Sequence, residues 1–338
     1  MPLENDCLPT LYRSKLNLIE TEVAIKLIKD RFERELSERL SLTRVSAPLF
    51  VRPETGLNDN LNGIERPVSF DIPSLGGAEG QIVQSLAKWK RAALHRYGFA
   101  VGTGLYTDMN AIRRDETLDR THSLYVDQWD WEKVIAAEDR TLDTLYEAAD
   151  AILDAMRATE IRLTKSYPVF GRKVPEKLFR ITAQELEDRF PGTTPKQRED
   201  AICRETGAVL LTQIGKCLES GITHDGRAPD YDDWELNGDI LVWDYTSGHS
   251  LELSSMGIRV DSEAMKRQLT VSGCESRACL PFHQMVLDNT LPLTMGGGIG
   301  QSRLCLYLLE KAHIGEVQSS CWPDEIWETC EKSGITLL

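Results

Sequence analysis

Long apolar runs are missing from this chain of 338 residues. Met1 to Asp6 carries two acids and no apolar stretch, so it does not read as a secretory signal, and no later segment approaches the roughly 20 apolar residues of a membrane span. A cytoplasmic protein without a membrane partner is expected. Paired cysteines are missing too: the eight at positions 7, 203, 217, 274, 279, 305, 321 and 330 contain no CxxC, and Cys274 and Cys279 have no histidines at zinc spacing. Free thiols follow, rather than disulfides or a zinc centre. Of only six histidines, His224 lies just before Arg227-Ala228-Pro229 with no second histidine at ligand spacing. There is no basic excess. With 39 basic against 53 acidic residues the formal charge is -14, which excludes a general nucleic-acid coat but leaves room for a small basic pocket that holds a nucleotide. No Pro-rich or Ser-rich linker, repeat or low-complexity block divides the sequence, so one domain over 1–338 is expected.

What is present is strongly patterned. From Ile19 to Leu40 the apolar residues Ile25, Ile28, Phe32, Leu36 and Leu40 recur every three or four positions, which predicts an amphipathic helix. Leu42 to Pro48 then alternates and ends in a proline, as an edge strand does, and together with the helix it can form a subunit contact. Residues 80–99 begin as a strand and continue into a charged segment. Ser123 to Trp131 reads as a strand returning beside the first, with Leu124, Val126, Gln128 and Asp130 on one face and Tyr125, Asp127, Trp129 and Trp131 on the other. Trp131 to Lys165 reads as helical. Further helices are expected over 182–190 and 197–206, a strand over 208–213, and a hairpin joining 236–243 to 251–260 through Thr246-Ser247-Gly248-His249.

The densest signal is Thr294-Met295-Gly296-Gly297-Gly298-Ile299-Gly300-Gln301-Ser302-Arg303-Leu304. Its glycines suit a turn that approaches a phosphorylated ligand closely, followed by a helix whose first backbone donors favour an anion and carry Arg303 beside it. The competing reading is a tight turn whose glycines only permit packing. Arginine forks grip phosphate or carboxylate from two sides, so Arg113 and Arg303 can clamp a triphosphate while Arg259 and Lys90 bind the carboxylates of a small acidic substrate. Asp239 and Glu252 sit on adjacent predicted strands and can hold magnesium against phosphate oxygens. Glu252 and Ser254 are expected on one face of their strand.

Taken together, Ser85-Leu86-Ala87-Lys88-Trp89-Lys90-Arg91, Gly104-Leu105-Tyr106-Thr107, Tyr125-Val126-Asp127-Gln128-Trp129-Asp130-Trp131-Glu132, Arg227-Ala228-Pro229-Asp230-Tyr231-Asp232-Asp233-Trp234, the segments 236–243 and 252–260, and the glycine run resemble the ammonia-dependent aspartate–ammonia ligases. These asparagine synthetases are built on the catalytic fold of class II aminoacyl-tRNA synthetases. The likeness spans residues from about 15 to about 335. It implies an α/β (α+β) fold with an antiparallel sheet flanked by helices, in a homodimer whose contact includes the element ending at Pro48. It also implies conversion of L-aspartate and ammonia to L-asparagine, with ATP as co-substrate and Mg2+ as cofactor, through a β-aspartyl adenylate that releases pyrophosphate and then AMP.

Carried over residue by residue, the resemblance gives Arg113 the α-phosphate and Arg303 the outer phosphates, with Gly297, Gly298 and Gly300 beside the nucleotide and Asp239 and Glu252 at the metal. Asp59, Ser85, Lys90, Gln128, Asp232, Ser254, Ser255 and Arg259 match positions lining the aspartate and adenylate site. Asp59 lies in the flexible string Gly56 to Gly63, where it can close over aspartate, bind its ammonium or accept a proton. Asp130 either joins that network or partners Arg113 or His122. One departure stands out: the link Glu235-Leu236 between Trp234 and Asn237 is shorter than the family pattern, which suggests a trimmed loop. An aspartyl- or asparaginyl-tRNA synthetase shares the chemistry but needs a basic anticodon-gripping domain absent here, so no stable nucleic-acid partner is expected. A non-catalytic homologue would lack part of the set Arg113, Asp239, Glu252 and Arg303. A glutamine-dependent amidotransferase needs a nucleophile that neither Met1-Pro2 nor Cys7 provides.

Overall fold

A computed structural model describes residues 8–9, 12–61 and 63–338. Cys7 and the first residues lie outside that set. In chain order the strands are β1 (Leu42–Arg44), β2 (Phe50–Val51), β3 (Ser69–Ile72), β4 (Ala78–Ile82), β5 (Gly104–Ile112), β6 (Tyr125–Val134), β7 (Phe179–Thr182), β8 (Ala208–Thr212), β9 (Asp232–Asp244), β10 (His249–Arg259) and β11 (Thr294–Gly300). The helices are α1 (Leu18–Leu40), α2 (Ala87–Tyr97), α3 (Leu142–Ser166), α4 (Ala183–Arg189), α5 (Pro195–Thr206), α6 (Ser262–Val271), α7 (Pro281–Leu287), α8 (Gln301–Leu308) and α9 (Asp324–Lys332).

Eight strands form one sheet in the order β1-β5-β6-β11-β10-β9-β8-β7. The six inner strands are antiparallel throughout, while β1 and β7 join the two edges in parallel. Strands β2, β4 and β3 make a small separate sheet. The expected antiparallel sheet is therefore present with a parallel strand added at each edge.

One face of the large sheet is closed by α1 and α3. Helix α1 begins at a reciprocal capping box between Asn17 and Glu20 and ends at Ser41, whose φ of 59° is left-handed. Its apolar stripe of Ile25, Ile28, Phe32, Leu36 and Leu40 is buried, and Phe32 meets Trp129 at 4.6 Å between ring centroids. Trp129 and Trp131 of β6, Ile240 and Val242 of β9, Met256 and Ile258 of β10, and Met295 and Ile299 of β11 fill this layer. The opposite face is covered only in part, and its open middle is the cleft described below.

Two readings of the sequence are corrected. The helix expected from Trp131 starts only at Leu142, because β6 continues to Val134 and pairs with both β5 and β11. No trimmed loop separates Trp234 from Asn237, since both lie inside β9. The seven described cysteines, Cys274 and Cys279 among them, are free thiols, and Cys203, Cys305 and Cys330 are buried. No helix among the described residues is long and apolar enough to cross a membrane.

Candidate active site

A cavity of about 860 Å³ lies on the partly covered face, over the middle of the sheet. Its floor is β11. The glycine run is thus a central strand rather than a turn, and none of Gly296, Gly297, Gly298 and Gly300 has a positive φ. What the glycines supply is room. Strand alternation sends Gly296, Gly298 and Gly300 toward the cleft and Met295 and Ile299 into the packed face. A Cβ on Gly296 would sit 2.7 Å from Nη2 of Arg259 and collide with the Glu132 carboxylate, and one on Gly298 would collide with Gln128 and lie 2.9 Å from Asp130. Gly297 faces the other way, 2.6 Å from Met256 at its absent Cβ, so it meets the cleft through its backbone alone. A side-chain-free trough therefore runs along β11, walled by β6 and β10.

Register orders the walls. Glu132, Asp130 and Gln128 of β6 stand beside Gly296, Gly298 and Gly300 in turn. At the Gly296 end, Arg259 binds Glu132 through Nε at 3.0 Å and Nη2 at 2.7 Å, and binds Asp232 through Nη1. Thr294 donates to Glu132 at 2.8 Å. The two carboxylates outweigh burial and hold the Arg259 guanidinium charged, whereas burial pushes the Asp232 carboxyl up against the pull of Arg259. Next along, Lys90 Nζ contacts Asp130 Oδ1 at 3.0 Å and donates to the Gly297 carbonyl at 2.9 Å. Burial lowers the Lys90 pKa and Asp130 opposes the shift. Lys90 and Arg259 thus reach the cleft with carboxylate partners already in place, and the partner of Asp130 is Lys90, not Arg113 or His122. His122 pairs instead with Asp119 at 2.7 Å. The charged run 88–91 belongs to α2, whose Lys88, Lys90 and Arg91 turn inward.

The Gly300 end differs. Arg113 follows β5 into the cleft, makes no ion pair among the described residues, and has a buried Nε with no hydrogen-bond partner. Arg303 is loosely tied, with Nη1 at 3.8 Å from a Glu252 carboxylate oxygen and 3.2 Å from the Glu252 carbonyl. The start of α8 is not vacant for an anion: Asp127 accepts from the Ser302 amide at 3.1 Å and its hydroxyl at 2.8 Å, and also pairs with Lys29 at 3.0 Å. At the rim Arg66 grips Asp115, donating through its amide at 2.8 Å and Nε at 3.0 Å, which holds the Asp115 carboxyl down at about 2.

Asp59 is buried rather than borne on a loose string. It accepts from Ser85 Oγ at 2.6 Å and from the Leu61 amide at 2.9 Å, and its neighbour Asn58 accepts from the Gln84 amide at 2.9 Å. Ser255, Arg259 and Asp232 line the cleft with it. Ser254 does not. The register of β9 and β10 slips between Glu252 and Ser254, so Leu253 and Ser254 both turn toward the helix-covered face, while Glu252 and Ser255 face the cleft. The buried Ser254 hydroxyl has no partner.

Asp239 faces the same side as Ser255 but is buried beneath an ion pair with Arg227. Burial and the neighbouring Glu252 raise its pKa, and Arg227 opposes them. A divalent cation would find one half-exposed carboxylate, Glu252, opening on the cleft beside Arg303, while Asp239 is neutralised by Arg227. That donor set fits a cation arriving on phosphate oxygens, which needs only one or two protein carboxylates, and not a dedicated protein cage. Among the described residues no group of three or more such side chains converges.

Glu132, Asp127 and Arg227 are functional neighbours to which the sequence assigned no role. Glu132 continues the period-two polar line of Gln128 and Asp130, a signal obscured by starting a helix at Trp131. Arg227 opens the quoted Arg-Ala-Pro-Asp string, but nothing in that string announces its pairing with Asp239.

The sequence matches the model of the family described as aspartate-ammonia ligase over residues 19–334. An aspartate–ammonia ligase of Clostridium tetani is 58% identical over 331 residues, covering 98% of this chain and 97% of the relative. One from Levilactobacillus brevis is 55% identical, covering 98% and 99%. Among solved structures, asparaginyl-tRNA synthetase from Pyrococcus horikoshii in complex with asparaginyl-adenylate superposes with a TM-score of 0.64 at 15% identity, over 90% of this chain and 70% of that one. Aspartyl-tRNA synthetase from Entamoeba histolytica gives 0.58 at 16% identity, over 88% and 58%. These structural likenesses establish the class II synthetase fold, and the sequence matches establish more: the chain belongs to the aspartate–ammonia ligase family.

Proposed function

We propose that the cleft joins ammonia to the side-chain carboxylate of L-aspartate in two steps at the expense of ATP. The observation that carries this reading is the polarity of the trough: paired charges surround Gly296, whereas at the Gly300 end Arg113 has no ion pair among the described residues and Arg303 is only loosely tied to Glu252. Aspartate lies at the paired end, where Lys90, Arg259, Asp232, Ser85 and Asp59 present fixed donors and acceptors to its ammonium and carboxylates. ATP lies at the other end, with Arg113 on the α-phosphate and Arg303 on the outer phosphates. In the first step a β-carboxylate oxygen attacks the α-phosphorus and pyrophosphate leaves; Arg113 stabilises the charge that develops there. Gln128 and Ser255 reach the centre of the trough from opposite walls and orient the acyl adenylate. In the second step the ammonia nitrogen bonds to the acyl carbon of the side-chain carboxyl group (Cγ), the bond from that carbon to the AMP oxygen breaks, and the surplus proton leaves the nitrogen, with Asp59 as the acceptor. Glu252 is the residue that would hold Mg2+, whose positive charge offsets the repulsion between phosphates and carboxylates.

The chain also acts as a homodimer in this reading. Leu49 and Phe50 around Pro48, with Phe70 of the small sheet, form an exposed apolar group in which the two rings meet at 5.1 Å.

Purified protein incubated with ATP, Mg2+, labelled aspartate and ammonium should form asparagine and AMP in equal amounts. It should also exchange labelled pyrophosphate into ATP with aspartate alone. Formation of ADP would overturn the adenylate step, and charging of transfer RNA without asparagine would favour a synthetase. Light scattering of the same sample should give twice the chain mass.

A further inference from the structure

Asp59 gets no support from regular structure. Asn58, Asp59, Asn60 and Leu61 belong to no strand or helix, and Gln84 and Ser85, which face them, lie in the connection from β4 to α2. Side chains hold the segment instead. The Asp59 amide donates to Asn58 Oδ1 at 3.0 Å, and the same oxygen accepts from the Gln84 amide at 2.9 Å. The Asp59 carbonyl accepts from Gln84 Nε2 at 2.9 Å. Asn58 Nδ2 in turn donates to the carbonyl of Ile82, the last residue of β4, at 3.3 Å. The peptide groups on both sides of the Asp59 Cα are thus tied down by two buried residues, neither of which lines the cleft.

We propose that Asn58 and Gln84 are positioning residues that act through Asp59, fixing its backbone so that its carboxylate meets the ammonia nitrogen in the cleft. The proposal rests on the reading that Asp59 accepts the surplus proton of the second step. A base works only within roughly 2.6–3.2 Å of the nitrogen it deprotonates, so a shift of about 1 Å takes it out of reach.

The carboxylate follows the backbone. Oδ1 accepts from the Leu61 amide at 2.9 Å in a turn where Leu61 holds a φ of 47°, which leucine rarely adopts, and Oδ2 accepts from Ser85 Oγ at 2.6 Å. Gln84 does its part at a cost to folding. Only an N–H can face the Asp59 carbonyl, so the amide points Nε2 there and leaves Oε1 buried with no partner among the described residues. An apolar side chain of the same length would avoid that orphaned acceptor. Stability alone therefore does not account for glutamine at this position, whereas the need to anchor Asp59 does.

Gln84→Met keeps the length and removes the donor and the orphaned acceptor together, so its urea midpoint should stay close to that of the unaltered enzyme; Gln84→Leu is the shorter replacement. In both, the kcat for asparagine at saturating substrates should fall about tenfold or more, while the KM for ATP and the maximal rate of aspartate-dependent pyrophosphate exchange, which needs no ammonia, stay within about twofold. In an Asp59→Asn background, adding Gln84→Met should cost less than about twofold further, because no base is left to position. An unchanged kcat in both single variants overturns the proposal. So does a further tenfold loss in the Asp59→Asn background, or a parallel fall of exchange, synthesis and urea midpoint, which marks a structural role alone. Full synthesis by the Asp59→Asn single variant overturns the reading of Asp59 instead, which separates the two failures.

Discussion

The two ends of the trough solve opposite problems. Around Gly296 every charge is matched: Arg259 is shared between Glu132 and Asp232, and Lys90 is held by Asp130 and the Gly297 carbonyl. Around Gly300, Arg113 has no ion-pair partner among the described residues and Arg303 sits 3.8 Å from its nearest carboxylate. A prearranged end resists distortion and accepts only a ligand that repeats its pattern of charges. An end with surplus positive charge binds whatever brings enough negative charge, and strengthens its grip as charge moves during phosphoryl transfer. Loss of stability should therefore follow damage at the first end, and loss of rate damage at the second.

The largest effect is expected from Glu132→Gln. Removing the charge of one of its two buried carboxylate partners leaves Arg259 balanced by Asp232 alone, which costs up to about 3–5 kcal/mol, measurable as a lower urea midpoint, together with loss of aspartate binding. A variant as stable as the parent would show that the paired end is not structurally coupled. Arg113→Ala should do the converse. Aspartate-dependent pyrophosphate exchange should fall by about 10²–10³-fold while the midpoint of unfolding moves little, since no intramolecular ion pair is lost. If stability fell with the rate, the contrast between the two ends would be broken.

Acid should loosen the scaffold of the nucleotide end. His313 precedes Ile314, which lines the cleft, and its Nδ1 accepts from the Gly315 amide at 3.0 Å, so the ring is bound in its neutral form. Burial, helped by Arg120, lowers its pKa to about 4. The unfolded chain therefore takes up the proton first. Stability from this site is full above about 6.5 and is lost as pH falls from there to about 4, on the order of 3 kcal/mol in all. His313→Asn, which keeps an acceptor but cannot titrate, should flatten that part of a stability-versus-pH profile. The smallest effect belongs to Ser254→Ala. Its hydroxyl faces the packed layer without a partner, so loss of the oxygen should change stability by less than about 1 kcal/mol and leave the aspartate KM unchanged. A raised KM would return Ser254 to the substrate.

Much of this was legible in the sequence where periodicity was long and uninterrupted. The stripe of α1 and the alternation of Gln128 and Asp130 gave both the buried face and the cleft face directly. Local departures from period were not legible. One extra residue between Glu252 and Ser254 reverses the side to which the following positions point, and no residue type marks it. The glycines of β11 look like a turn because propensity disfavours glycine in a strand; only the partners on β6 and β10, far away in sequence, show why no side chain fits there. Pairing was equally hidden: the sequence named Arg259, Lys90 and Asp239 but could not reveal that Glu132, Asp130 and Arg227 already hold them.

The bare face of β11 bears on how the enzyme is made. Strands β5 and β6, and then β9 and β10, pair with their neighbours in the chain and can form as soon as they are synthesised. The strand between these two hairpins is specified by Gly296 to Gly300, which follow both of them in the chain. With so few side chains of its own to nucleate pairing, it depends on edges already prepared on either side. On the ribosome the two halves of the sheet therefore wait for one late, featureless ribbon to join them, and a prematurely terminated chain carries most of the site's charged groups with no floor on which to bring them together.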